Sequence, residues 1–114
     1  MLAKVGRTED GSPHDDEMFE LRFTESALED LRYLKRFEQR FILAAIENQL
    51  SAEPLTSTRN RKQLRPNTLS EWELRAGSLR VFYDVDQESR VVWIKGVGWK
   101  EHNRLVIRGK EFIL

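Results

Sequence analysis

The sequence predicts an α+β fold: an N-terminal strand, a helical hairpin, then an antiparallel β-meander ending in a C-terminal hairpin. Three observations carry this. Apolar residues recur at helical spacing through Leu28, Leu31 and Leu34 and again through Ile42, Ile46 and Leu50. The run from Trp72 to Asp86 alternates in polarity about a Gly77-Ser78 step. Residues 90–97 are almost continuously apolar, as expected of a central strand covered on both faces. The 114 residues suit one domain with a modest core.

The elements follow in order. Residues 1–17 contain Gly6, Gly11, Pro13 and the acidic cluster Asp15-Asp16-Glu17, with little to bury, and read as a disordered acidic tail. The folded domain is expected over 18–114, and Met18 can serve as an alternative start. Residues 18–23 alternate, with Phe19, Leu21 and Phe23 on one face of a strand. Thr24 or Ser26 can cap the first helix, and Ser26 to Glu29 has capping-box spacing. Its buried stripe is expected to be Leu28, Leu31 and Leu34.

A break near Phe37 leads to a second helix at 39–51, with Phe41, Ile42, Ala45, Ile46 and Leu50 inward. Pro54 prevents its continuation, and the short link makes the two helices an antiparallel hairpin. A basic loop ends at the Pro66-Asn67 turn signal. Strands at 71–76, 79–86 and 90–97 follow, with Trp72 and Trp93 in the core. Leu105-Val106-Ile107, a Gly109 turn and Phe112-Ile113-Leu114 read as the terminal hairpin.

Charge is unevenly spread. The formal net charge is zero. Residues 1–17 nevertheless hold two basic and five acidic side chains, against seventeen and fourteen in 18–114. Arg59, Arg61, Lys62 and Arg65 form a cationic stretch without an anion. With Arg75 and Arg80 near the hairpin turn, this places fixed cations around one small sheet, the arrangement expected of a phosphate-backbone grip.

Several chemistries find no support. There is no cysteine, so disulfides and thiolate chemistry are excluded, and a reducing cytoplasm is expected. Two distant histidines make no recognisable metal site, and neither a metal nor another cofactor is expected. There is no phosphate-cradling glycine loop and no nucleophile elbow, and no small-molecule ligand is expected. No apolar run approaches membrane-spanning length, and no membrane partner is expected.

This order of elements, with TRNRKQLRPN at 58–67, WELRAGSLRVFYDVD at 72–86 and the Val97-Gly98 step before a basic segment, resembles the RelE/ParE superfamily of type II toxin–antitoxin toxins. The resemblance covers 18–114 and implies a cytoplasmic toxin restrained by a cognate antitoxin. RelE-like members cleave mRNA in the ribosomal A site, so ribosome and mRNA are the implied partners. ParE-like members poison DNA gyrase. A degenerate toxin acting only as antitoxin partner and corepressor is a further alternative.

The cleaving branch keeps an arginine at the start of the third strand, matched by Arg80, and a cation after the Val-Gly step, matched by Lys100. Where that branch carries lysines on the second strand, this chain has Glu71 and Glu73. Val106 stands where a tyrosine aligns, leaving His102 as the nearest substitute.

Metal-free RNA cleavage needs a proton acceptor for the 2′-hydroxyl, an acid for the leaving 5′-oxygen and cations for the phosphorane. The candidate catalytic set is Arg80 and Lys100 as cations, Glu73 (or Glu71) as base and His102 as acid. Arg59, Arg61, Lys62, Arg65, Arg75 and Arg104 are the candidate RNA contacts. Each has a plainer reading: Arg75 as a cross-strand ion pair with Glu73 or Asp84, the basic loop as solvated surface, His102 as a surface residue, and both glutamates as solvent-side strand positions.

Overall fold

A computed structural model of the chain describes residues 18–114; the acidic tail expected at 1–17 lies outside the described residues. The elements are β1 (Glu20–Phe23), α1 (Glu25–Leu31), α2 (Arg36–Leu50), β2 (Arg61–Gln63), β3 (Trp72–Ala76), β4 (Leu79–Asp86), β5 (Val91–Glu101), β6 (Arg104–Ile107) and β7 (Lys110–Phe112). The strands form one sheet in the order β2-β3-β4-β5-β6-β7, with β1 also paired to β5. The α+β class and the helical hairpin stand as expected. The meander from β2 to β7 is antiparallel throughout. Only β1 runs parallel, against residues 91–94 of β5.

Strand β5 organises the molecule. One edge pairs with β4 along residues 91–99. The other is shared, with β1 taking residues 91–94 and β6 taking 99–101. Between them the strand edge is open, and the N–H of Val97 donates to Oδ2 of Asp30 on α1 at 3.0 Å. A carboxylate thus satisfies a buried backbone donor that no strand reaches.

The core lies between α2 and one sheet face. Ile42, Ile46 and Leu50 pack against Leu74, Val81, Tyr83, Val92, Ile94 and Val97. Each such side chain contributes roughly 1.5–3 kcal/mol. Trp72 stacks on Tyr83 with centroids 6.1 Å apart. The Tyr83 hydroxyl donates to the Pro54 carbonyl at 2.7 Å, tying the loop after α2 to the sheet. Burial pushes its phenol well above the ordinary tyrosine range.

Local details depart from the sequence expectations. Thr24 is the cap of α1, its Oγ1 accepting from Ala27 N at 3.1 Å, and Ser26 lies inside the helix. That phase turns Ala27 and Asp30 inward and leaves Leu28 exposed. Helix α2 begins at Arg36 rather than 39, where the Lys35 N–H donates to Glu38 Oε1 at 2.9 Å. Phe41, expected inward, is exposed, while Ile42 and Ile46 hold the seam.

Trp93 is only half-buried, at a β5 position paired with Asp84 rather than under the helices. The basic loop contains the short strand β2, held by β3. Strand β5 continues to Glu101, beyond the expected end at 97.

Candidate nucleic-acid groove

The sheet face turned away from α2 carries the charged residues. Cross-strand register sets Lys62 opposite Glu73, Arg75 opposite Arg80, and Arg80 opposite Gly98. Strand alternation then brings Lys100, two residues past Gly98, to the same face. Opposite them stands the β6–β7 hairpin. The result is a groove of about 340 Å³ with Lys62, Glu73, Arg75, Lys100 and Arg104 in its walls, continued by Phe112 and the C-terminal residues.

A close backbone approach builds this groove. A Cβ on Gly98 would collide with the Val106 carbonyl oxygen and lie 2.9 Å from Ile107 Cγ1, so β6 sits where it does because residue 98 has no side chain. The two-residue turns are equally specific. His102 and Asn103 join β5 to β6 with φ of 52° and 67°, and Arg108 and Gly109 join β6 to β7 with φ of 52° and 76°. Consecutive left-handed residues match a type I′ hairpin. At the β3–β4 turn, Gly77 supplies φ of 62°.

Glu73 forms the floor of the groove. It is 4% exposed, despite a strand position that reads as solvent-facing. Its Oε1 lies 3.3 Å from Arg75 Nε and its Oε2 3.8 Å from Arg80 Nε. The Arg80 side chain is 13% exposed. Its Nη1 donates to the carbonyls of Gly77 at 2.7 Å and Leu79 at 2.9 Å. Its Nε is buried without a hydrogen-bond partner among the described residues. Burial lowers the basicity of Arg80 and nearby Glu73 opposes that, so the guanidinium is a fixed, partly desolvated cation. Such a donor group is preorganised for an anion.

The remaining candidates divide. Arg61, expected as a phosphate contact, is turned inward. Its Nε donates to Thr56 O at 3.0 Å and its Nη1 to Gln49 O and Oε1 at 2.9 and 2.8 Å, with Glu53 3.6 Å from Nη2. It clamps β2 to the end of α2, and the physical reason is a set of unfilled carbonyls at a helix C-terminus. Arg59 is exposed, and Arg65 lines a separate hollow beside Asn67 and Lys95. Glu71 is exposed and gives its backbone N–H to Asp84 Oδ1 at 2.7 Å. His102 is exposed at the β5–β6 turn, next to Asn103 of the groove wall.

Two residues that pattern reading passed over matter here. Asp30 is 2% exposed, yet it stands in a helix as an ordinary polar residue. Arg108 of the terminal turn lies 2.8 Å from its Oδ1 through Nε. Oδ1 nevertheless lacks a directional hydrogen bond among the described residues, so the pair is held by charge. Burial raises the Asp30 carboxyl above the ordinary range; the Val97 N–H and Arg108 oppose that shift.

Helix α2 on one sheet face and a cationic groove on the other define a small α+β protein with a charged cleft. Residues 21–103 match the family described as the ParE toxin of the parDE type II toxin–antitoxin system, and the chain belongs to the RelE/ParE superfamily of toxins. It is similar to a chain of the RelBE2 toxin–antitoxin complex from Mycobacterium tuberculosis, with 30% identity and a TM-score of 0.65 over 73% of this chain and 92% of that one. It also shares its fold with a chain of the archaeal RelE–RelB complex from Pyrococcus horikoshii OT3, with 20% identity and a TM-score of 0.57 over 70% of this chain and 92% of that one. No curated protein matches it. No helix among the described residues is long and apolar enough to cross a membrane.

Proposed function

We propose that this toxin inhibits translation by binding ribosome-associated mRNA in the groove and cutting it. The observation that carries this reading is the convergence of Lys62, Arg75, Lys100 and Arg104 around the buried Glu73, with Arg80 fixed beside it. Guanidinium groups held on a sheet pair with phosphate oxygens bidentately. In the reaction the 2′-oxygen attacks phosphorus and the bond from phosphorus to the 5′-oxygen breaks, leaving a cyclic phosphate. Glu73 accepts the 2′-hydroxyl proton. Arg80, Arg75 and Lys100 stabilise the phosphorane. His102, on the turn beside the groove wall, donates to the leaving oxygen.

A cognate antitoxin restrains the toxin. Support comes from the two neighbours, both determined as toxin–antitoxin complexes. The chain also offers an apolar surface: Phe37 and Phe41 are 61% and 53% exposed and line a hollow with Ala76 and Leu79. Exposed aromatics one helical turn apart suit an amphipathic partner helix.

A second reading has its own support. The matching family over 21–103 is that of ParE toxins, which favours non-enzymatic inhibition of DNA gyrase. One experiment separates the two. Purified toxin is added to translating ribosomes and, in parallel, to a gyrase supercoiling assay. Shortened mRNA, absent with Arg80→Ala, supports the first reading. Intact transcripts together with blocked supercoiling replace it with the second.

A further inference from the structure

A larger hollow, about 560 Å³, lies on the other side of β7. It is walled by Asp30 of α1 and Tyr33 of the turn after it on one side and by Arg108, Lys110 and Phe112 of the terminal hairpin on the other. The proposed chemistry does not use it. Its size suits a nucleotide-sized ligand. Its two hairpin cations are exposed, and neither gives a hydrogen bond from its side chain to another described residue. Asp30 fixes one of them: its buried carboxylate lies 2.8 Å from Arg108 Nε, and the Arg108 side chain is still 42% exposed. Tyr33 is an exposed aromatic at the rim and Phe112 a half-buried one. Glu111 and Phe112 line both this hollow and the groove, so the two cavities adjoin across one strand.

We infer that this hollow is a second subsite for single-stranded RNA, in which Arg108 and Lys110 hold a phosphate and Tyr33 and Phe112 stack on its base. The inference rests on the RNA reading of the groove and extends it along the strand. Tethered arginine with neighbouring lysine is a phosphate-binding pair, and stacking accepts any base. Asp30 acts as a positioning residue: it touches no RNA and aims Arg108. The subsite therefore sets how much RNA the toxin grips rather than which bond is cut.

The test uses the whole chain, with hexauridylate RNA and inorganic phosphate as probes, followed by fluorescence anisotropy and by amide shifts in NMR spectra. Hexauridylate should shift residues 108–111 and Tyr33 as well as the groove. Lys110→Ala and Arg108→Ala should each weaken hexauridylate roughly 3- to 10-fold and lower the salt slope by about 0.7. Both sites are exposed, so these variants should fold as the wild type does, which their spectra will show.

Asp30→Asn should weaken RNA as Arg108→Ala does, and the double variant should be no worse than either. Additive losses in that double variant would overturn the positioning role. RNA shifts confined to the groove, with unchanged affinity in Lys110→Ala, would overturn the subsite while leaving the groove reading intact. Phosphate binding at Arg108 without RNA shifts there would assign the hollow to a free anion and overturn it as well. Absence of any RNA binding would remove the groove reading and this one together.

Discussion

The Glu73 carboxylate lies between two guanidiniums, 3.3 Å from Arg75 Nε and 3.8 Å from Arg80 Nε, and it holds the more buried of them beside the groove. Removing it leaves Arg80 with an uncompensated, partly desolvated charge. Glu73→Ala is therefore expected to lower stability by about 2–3 kcal/mol, and Glu73→Gln, which keeps the shape and a hydrogen-bond acceptor, by less. Urea denaturation of the three proteins checks the order. In the cutting assay, Glu73→Gln should lose activity while remaining folded if the carboxylate takes the 2′-hydroxyl proton.

Gly98 fixes the groove's other wall. Gly98→Ala drives a methyl group against the Val106 carbonyl, so β5 and β6 must separate. The expected cost is about 1–3 kcal/mol, read as a lower thermal midpoint. RNA affinity should fall with it, because Arg104 and Phe112 travel with the hairpin. An unchanged midpoint would show that the strands move apart freely.

Much of this architecture is readable from pattern because local signals agree with the tertiary ones. Strands β3 and β4 announce themselves through alternation and the Gly77 turn, and β5 through its apolar run. Failures fall where a distant partner decides. Leu28 has the spacing of a buried residue, but α1 instead buries Asp30, whose cost is offset by Val97 and Arg108, some 67 and 78 residues away in the chain. Glu73 reads as a solvent-side position until the hairpin closes over that sheet face. Strand β2 is three residues long and polar, so only its pairing with β3 reveals it. Of the site, Arg75, Lys62, Lys100 and Arg104 come together as charge patterning suggests, whereas Arg61 answers to helix-end carbonyls invisible in a linear reading.

Asp30 gives the protein an unusual acid response. Its folded carboxyl titrates above the ordinary value, so the folded protein takes up this proton at higher pH than the unfolded chain does. Stability from this group therefore rises as pH falls from neutral through the raised folded value, and levels off below the unfolded value. This opposes the usual acid loss from paired carboxylates. The urea midpoint of the wild type relative to Asp30→Asn should shift in favour of the wild type between about pH 7 and about pH 4.5. A difference constant across that range would mean that Asp30 keeps an ordinary titration.

Phe37 and Phe41 project one turn apart from the first half of α2 into solvent. In the proposed complex they are the apolar anchors for antitoxin. Phe41→Asp should weaken antitoxin binding at least 10-fold while leaving the toxin's own stability within about 0.5 kcal/mol, since the side chain is not part of the core. Calorimetry against the antitoxin encoded with it measures the first, and thermal unfolding the second. Undiminished affinity would move the partner to another face.

Arg61 and Lys62 are adjacent in the sequence and opposite in role. Arg61→Ala opens contacts to Thr56, Gln49 and Glu53 and leaves carbonyls at the end of α2 without donors. A loss of about 2 kcal/mol in stability is expected, with no change in the salt slope of RNA binding. Lys62→Ala removes only an exposed cation from the groove wall. It should leave stability within about 0.5 kcal/mol and reduce the salt slope by about 0.7. Measuring both variants by denaturation and by anisotropy at several salt concentrations resolves the contrast. Equal salt slopes in the two would mean that the groove is not where the backbone of the RNA lies, whatever the basic loop contributes to the fold.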